Sequence, residues 1–321
     1  FADRAKFNKL LEKIKAELKR LVDSFTAGNV IKNGIPVAIL GEPNVGKSTL
    51  MNCLVGEKLS IITSKAQTTR HRILGIVNGD NFQLIISDTP GIIKPSYELQ
   101  SSMMDFVKSA LEDADVLVYM LEIGEKSIRD IEVHNKINNA KVPVIILLNK
   151  IDLSDQKQLE IEIDNWSKMY PNSDVYPISA LNNFNVEKLI DRIIELIPES
   201  PPYFPKDQLT DKPERFFVNE KLREKILLYY DKEIPYSVEV VTEEFKEEES
   251  IIKIRSQILV ERESQKGIII GHKGVALKKI GTKARQDLEK FFEKKVFIEL
   301  HVKVSKNWRS NSSQLKRFGY K

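Results

Sequence analysis

Eight residues constrain the fold of this chain more than any others: Gly41-Glu42-Pro43-Asn44-Val45-Gly46-Lys47-Ser48. They match the pattern G-x-x-x-x-G-K-[ST], which works only between an apolar strand and a helix. Residues 35–40 (I-P-V-A-I-L) read as that strand, and the run from Lys47 onward reads as that helix. Glycines let successive N–H groups turn inward into a nest for phosphate oxygens, and the helix N-terminus adds its positive dipole end. In such a nest Gly41, Asn44, Val45, Gly46 and Thr49 line the phosphates, Lys47 reaches the β and γ groups, and the Ser48 hydroxyl ligates Mg²⁺. The stretch predicts a nucleoside triphosphate site in an α/β fold.

The surrounding pattern agrees. From residue 35 to 198, short apolar runs (72–77, 82–87, 116–121, 144–148, 175–178) alternate with helical periodicity (98–111, 128–138, 156–169, 186–196). Such alternation predicts a doubly wound, mostly parallel sheet, with ligands beyond the C-terminal strand ends. Asn78-Gly79-Asp80 marks a hairpin between the second and third runs.

Three further motifs fall at those strand ends. In Asp88-Thr89-Pro90-Gly91, the aspartate can hold Mg²⁺ through water and the Gly91 N–H can approach a γ-phosphate. In Asn149-Lys150-Ile151-Asp152, the acceptor-only Asp152 carboxylate suits the adjacent N–H donors of guanine. Lys150 can lie over the base, and Asn149 can tie this loop to the phosphate loop. Ser179-Ala180-Leu181 can present a backbone N–H to the guanine O6. Each motif alone is weak; their order and placement predict GTP and GDP as ligands.

Charge divides the chain. From residue 251 to 321 there are 18 Lys/Arg against 6 Asp/Glu, a net +12, while the preceding residues carry 32 against 40, a net −8. A basic module behind an acidic body predicts a polyanion partner at one end. Prolines 198, 201, 202, 205 and 213 predict a stiff linker over 199–214. Beyond it a helix (216–230), paired strands (236–245 and 251–262), a helix to about residue 293 and a last strand (296–304) make an α+β unit, 215–321. Gly271-His272-Lys273-Gly274 opens that helix, followed by Lys278 and Lys279. Glycines there permit close approach of a nucleic-acid backbone, and the cations add charge; single-stranded RNA is the expected ligand, not DNA. Residues 1–34 read as an amphipathic helix with an apolar stripe from Phe7 to Phe25. The lone Cys53 excludes an internal disulfide, no apolar run approaches the ~18 residues of a membrane span, and the four histidines lack ligand spacing. A cytoplasmic protein is expected.

G-E-P-N-V-G-K-S, T-T-R (Thr68 to Arg70), D-T-P-G, N-K-I-D and S-A-L resemble the five guanine-nucleotide motifs of translation-factor-related GTPases. The stretch L-S-I-I-T-S-K-A-Q-T-T-R-H-R-I-L-G-I-V and the downstream unit resemble the Era family, with its C-terminal K-homology (KH) domain of type II, over about residues 36–321. The resemblance implies GTP hydrolysis and binding to 16S rRNA, with a role in small ribosomal subunit assembly. It also implies peripheral association with the inner membrane face. It places Thr68 and Thr69 in the first switch, with Thr69 closing over Mg²⁺ beside Ser48 and Asp88, and it makes Lys47, Thr69 and Gly91 the residues of the hydrolytic step. Ile92 stands where Ras-like enzymes carry a water-orienting glutamine, and Asn44 stands where related GTPases hold K⁺. Residues 1–34 instead resemble the segment leading into the GTPase domain of the tRNA-uridine-modifying GTPase, so a fusion and a tRNA-modification module are the alternatives, together with an RNA-binding scaffold whose nucleotide is structural.

Overall fold

The computed structural model describes Lys15 and residues 36–320. The expected N-terminal amphipathic helix therefore lies outside the described residues, apart from Lys15. Six strands form the first sheet: β1 Pro36–Leu40, β2 Ile73–Asn78, β3 Gln83–Asp88, β4 Val116–Glu122, β5 Val144–Asn149 and β6 Asp174–Pro177. Their order is β2-β3-β1-β4-β5-β6, parallel throughout except for the β2–β3 hairpin. Gly79 N–H donates to Phe82 O (3.0 Å) and closes that hairpin. Pro177 is tolerated because β6 is an edge strand and its missing N–H faces no neighbour.

Strand β1 is buried along its whole length, and its alternation splits the core in two. Val37 and Ile39 join one layer with α1 (Lys47–Val55) and α5 (Val186–Leu196). Ala38 and Leu40 join the other with α2 (Glu98–Asp113), α3 (Ile131–Asn138) and α4 (Gln156–Met169). Burying an aliphatic side chain of this size stabilises by ~1.5–3 kcal/mol. Two packed layers therefore make the sheet a rigid platform for the loops at its C-terminal edge.

The second unit packs α6 (Glu214–Tyr229), α7 (Glu263–Ile270) and α8 (Val275–Phe291) against a three-stranded sheet, β7 Glu239–Glu247, β8 Ile251–Val260 and β9 Lys295–Val304. β7 and β8 are antiparallel, β8 and β9 parallel. Helix α7 is absent from the sequence reading, where Ile268-Ile269-Ile270 looks only like an apolar run. Gln265 accepts from the Glu261 and Arg262 N–H groups (2.9 and 3.0 Å), and this satisfied N-terminus starts the helix. The last helix, α9 (Ser312–Arg317), carries Leu315 and Tyr320 back onto Leu99 and Met103 of α2.

The proline-rich stretch 199–214 is stitched to the free edge of the first sheet. Gln83 accepts from the Tyr203 and Phe204 N–H groups (2.8 and 2.9 Å) and donates to Phe204 O (2.9 Å). Asn78 donates to Lys206 O (3.0 Å), Ile76 N–H to Leu209 O (2.9 Å), and Gly75 bridges Thr210. The stretch covers the exposed donors and acceptors of β2, which an edge strand otherwise presents to other chains.

Candidate functional sites

The loop between β1 and α1 shows why it needs glycine. Gly41 and Gly46 have φ of +147° and +105°, and a Cβ on Gly46 would lie 2.2 Å from Asn149 Nδ2. A Cβ on Gly41 would lie 2.3 Å from Met120 O. The ammonium of Lys47 is buried and donates to Gly41 O (2.9 Å) and Glu42 O (2.7 Å), the carbonyls of its own loop. Burial is the chief cause that lowers its pKa to about 8, against the opposing pull of Asp88, Glu42 and Glu125.

Three groups converge beside it. Ser48 Oγ donates to Asp88 Oδ2 (2.7 Å) and lies 3.0 Å from Thr69 Oγ1. Asp88 is fully buried and its Oδ1 has no hydrogen-bond partner. Burial raises its pKa, against the opposing pull of the Ser48 hydrogen bond and the Lys47 charge. Two hydroxyls and an orphaned carboxylate oxygen form an all-oxygen donor set of the kind Mg²⁺ prefers, so the residues fit that ion. The neighbouring Thr68 hydroxyl is turned away, bonded to Thr63 (2.7 Å) and Lys65 O (2.5 Å), which leaves Thr69 as the threonine facing the site. Gly91 sits against Pro43, where a Cβ would meet the Pro43 backbone at 2.8 Å.

At the other end, Asn149 Nδ2 donates to Val45 O (2.7 Å) while its Oδ1 accepts the Ala180 N–H (2.9 Å), so one side chain ties three loops together. Ser179 Oγ donates to Asp152 Oδ1 (2.6 Å) and orients a carboxylate that is otherwise exposed at the rim. Lys150 has φ of +64° and its ammonium pairs with Glu122, so its stem borders the cleft. The Ala180 N–H, one of the backbone donors of the Ser179–Leu181 stretch, is engaged by Asn149. The resulting cleft holds about 420 Å³ and is lined from Asn44 and Thr49 to Asp152 and Leu181.

The second loop differs. Gly271, Lys273 and Gly274 have φ of +70°, +51° and +77° and turn the chain sharply from α7 into α8. A Cβ on Gly271 would lie 2.6 Å from Ala276 Cβ, whereas one on Gly274 meets nothing within 4 Å. His272, Lys273 and Lys278 are exposed, and the Lys279 ammonium stands 4.2 Å over the Tyr229 ring. A groove of about 510 Å³ continues from Gly274 between α8 and β9, lined by Arg285 and the exposed Phe297 among others. Gly281 keeps it open, since a Cβ there would press on Leu300 at 3.1 Å.

A family model described as 50S ribosome-binding GTPase matches residues 36–150, and one described as KH domain matches residues 233–309. GTPase Era of Syntrophus aciditrophicus (strain SB) is 46% identical over 294 residues, 91% of this chain and 96% of the relative. The chain belongs to the Era family of GTPases. Era of Clostridium kluyveri is 42% identical over 297 residues, 91% of this chain and all of that one. A crystal structure of Era with MgGDPNP and nucleotides 1506–1542 of 16S ribosomal RNA has a TM-score of 0.85 at 43% identity, covering 89% of this chain and 98% of that one. A variant of Aquifex aeolicus Era bound to GDP.AlF4⁻ has the same score at 42% identity, with the same coverage. This Era relative is thus a GTPase of the P-loop fold with a C-terminal KH domain, as its motifs imply. Among the described residues no helix is long and apolar enough to cross a membrane.

Sequence reasoning missed the contacts between the two units. Arg70 is quoted within T-T-R but without a role, and Arg223, Glu239 and Tyr320 carry no motif signal. All four are buried at the junction beside the Thr68–Thr69 pair. His71 stacks on Tyr320 (centroids 4.2 Å apart), and burial, reinforced by Arg223, Lys212 and Arg70, pushes its pKa down to about 3.

Proposed function

We propose that this chain couples GTP binding and hydrolysis to 16S rRNA binding during small ribosomal subunit assembly. One observation carries the reading: Lys47, Ser48, Thr69 and the Asn149–Asp152 loop line one cleft, with buried Asp88 bonded to Ser48 behind it, on the same chain as an exposed basic G-x-x-G loop. The solved relative that binds MgGDPNP and a 16S segment supports carrying both ligands over to this chain.

In this reading the loop amides of residues 41–48 hold the β and γ phosphates, and Lys47 neutralises the charge that spreads over their oxygens in the transition state. Ser48, Thr69 and Asp88 would hold Mg²⁺, which would supply further charge neutralisation at the phosphates. The Gly91 N–H marks the γ position. Water attacks the γ-phosphorus in line, the bond to the bridging oxygen breaks, and GDP and phosphate leave. Ile92 is apolar and orients no water, so turnover of the isolated protein is slow. Asn44, at φ +67° with its Nδ2 given to Ser64 O (2.9 Å), keeps its carbonyl oxygen for a monovalent cation such as K⁺ beside the phosphates.

Crosslinking the GTP-loaded protein in cells and sequencing the attached RNA tests the reading. The 3′ end of 16S rRNA is the expected catch. Enrichment of tRNA instead would transfer the chain to the tRNA-modification alternative.

A further inference from the structure

The first switch is held mainly by the other domain. Arg223 of α6 donates to the carbonyls of Thr68 and, at 3.4 Å, of Gln67. Its own position is set one turn earlier by Glu220, which accepts from Nε at 2.8 Å and from Nη2 at 2.6 Å. On the far side of Thr69, the Arg70 side chain is fully buried in the RNA-binding unit. There it donates to Val238 O (2.7 Å), to Glu239 (3.3 Å) and to Pro235 O (3.2 Å), with the Trp308 ring 5.9 Å away. Glu239 in turn accepts from the Tyr320 hydroxyl (2.8 Å). Thr69 therefore sits between two anchored neighbours, and it is the residue whose hydroxyl reaches Ser48.

These contacts are buried, so they behave unlike surface ion pairs. Removing one partner strands a charge or a carbonyl without solvent, and the switch loop stays with the RNA-binding unit or leaves it as a block. A displacement of about 1 Å at a metal-closing group is enough to slow a reaction by up to roughly a hundredfold.

We infer that Arg223 and Glu239, residues of the RNA-binding domain, are positioning residues for GTP hydrolysis: they hold Thr69 against Ser48 and Asp88. The inference rests on the reading of those three residues as the Mg²⁺ set. It makes hydrolysis depend on a domain that supplies no group to the nucleotide cleft, and it gives RNA binding a physical handle on the reaction.

Hydrolysis by the full chain under single-turnover conditions, as a function of Mg²⁺ concentration, tests it. The double variant Glu220→Gln with Arg223→Met removes the grip without leaving an unpaired buried charge. It is expected to hydrolyse roughly tenfold more slowly and to need more Mg²⁺ for half-maximal rate, while mant-GDP affinity without Mg²⁺ stays within twofold. Arg223→Lys, which keeps the charge and one donor, is expected to recover part of the rate, and Glu239→Gln to show the same Mg²⁺ shift in milder form. These two single variants decide the matter if the double variant does not fold. Unchanged rate and Mg²⁺ dependence in the folded variants would overturn the inference. Thr69→Ala is the control: if it leaves the Mg²⁺ requirement unmoved, the metal reading itself has failed. If it raises the requirement and the Arg223 and Glu239 variants do not, only the positioning role is lost.

Discussion

The loops at residues 41–48 and 271–274 both place positive-φ glycines directly before a helix, yet they treat their anion differently. In the first, Lys47 is 6% exposed and a Cβ on Gly46 would strike Asn149 at 2.2 Å. In the second, Lys273 is exposed and a Cβ on Gly274 would meet nothing within 4 Å. Enclosure fixes a few donors around a small ligand, so geometry decides what binds. Exposure lets a polymer backbone pass, so charge density does most of the binding and salt competes with it. In the proposed reading the same local signal yields a discriminating site in one place and a tracking site in the other.

The comparison breaks most sharply at its glycines. Gly46→Ala forces a side chain into the Asn149 amide and strains φ, which dismantles the nest and the tie to the guanine loop together. Loss of two or more charge-assisted hydrogen bonds predicts a fall in GTP affinity of roughly a hundredfold or more. Titration with mant-GTP reads it, and a variant within tenfold of the parent would mean that the loop opens easily. Gly274→Ala has room for its methyl and carries only the backbone strain of ~1–2 kcal/mol, so it should lower stability by about that much and leave RNA affinity within a few-fold.

Specificity comes next. Asp152→Asn replaces an acceptor with a donor-bearing amide, so GTP binding should weaken roughly ten- to a hundredfold and xanthosine triphosphate should gain. Competition between the two nucleotides measures this directly; continued preference for GTP would remove Asp152 from the base site.

Gly274→Asp puts a negative charge where the RNA backbone passes. RNA affinity should fall by roughly tenfold or more, with GTP affinity unchanged. Repeating both titrations from low to high salt sharpens the contrast, since only the RNA isotherm should move steeply. Equal salt slopes for the two ligands would contradict the enclosed-versus-exposed distinction.

The smallest effect concerns the monovalent cation. GTP turnover should be a few-fold faster in K⁺ than in Na⁺, and Asn44→Ala should erase the difference. Equal rates in the two salts for the unaltered chain would dispose of the cation at Asn44.

Much of the site was legible in the sequence because its chemistry is local. Lys47 donates to the carbonyls of its own loop, and a strand before Gly46, Lys47 and Ser48 with a helix behind is a pattern visible in one dimension. Asp88 and Asn149 follow the same logic, each at the end of a buried apolar strand, and Ser179 lies just past the edge strand β6. The Asn149 bond to Val45 could be anticipated for that reason. Helix α7 was harder to see: three consecutive isoleucines favour a strand locally, and only burial of Ile269 with Tyr230 O–H capping its carbonyl (2.8 Å) shows what the fold does with them.

What the sequence by itself determined is therefore the class of fold, the nucleotide and the glycine-dependent loops at 41–48 and 271–274, because these follow from backbone conformations and periodicities a few residues long. Tertiary structure alone decided that 199–214 seals the edge of β2. It also turned the Thr68 hydroxyl away to Thr63 and Lys65 O, and it clamped the first switch through Arg70, Arg223, Glu239 and Tyr320. Those partners lie up to 169 residues apart within single hydrogen bonds. No local propensity marks an arginine that will be buried; only the packing of two finished domains removes its water and supplies the carbonyls and carboxylates that replace it.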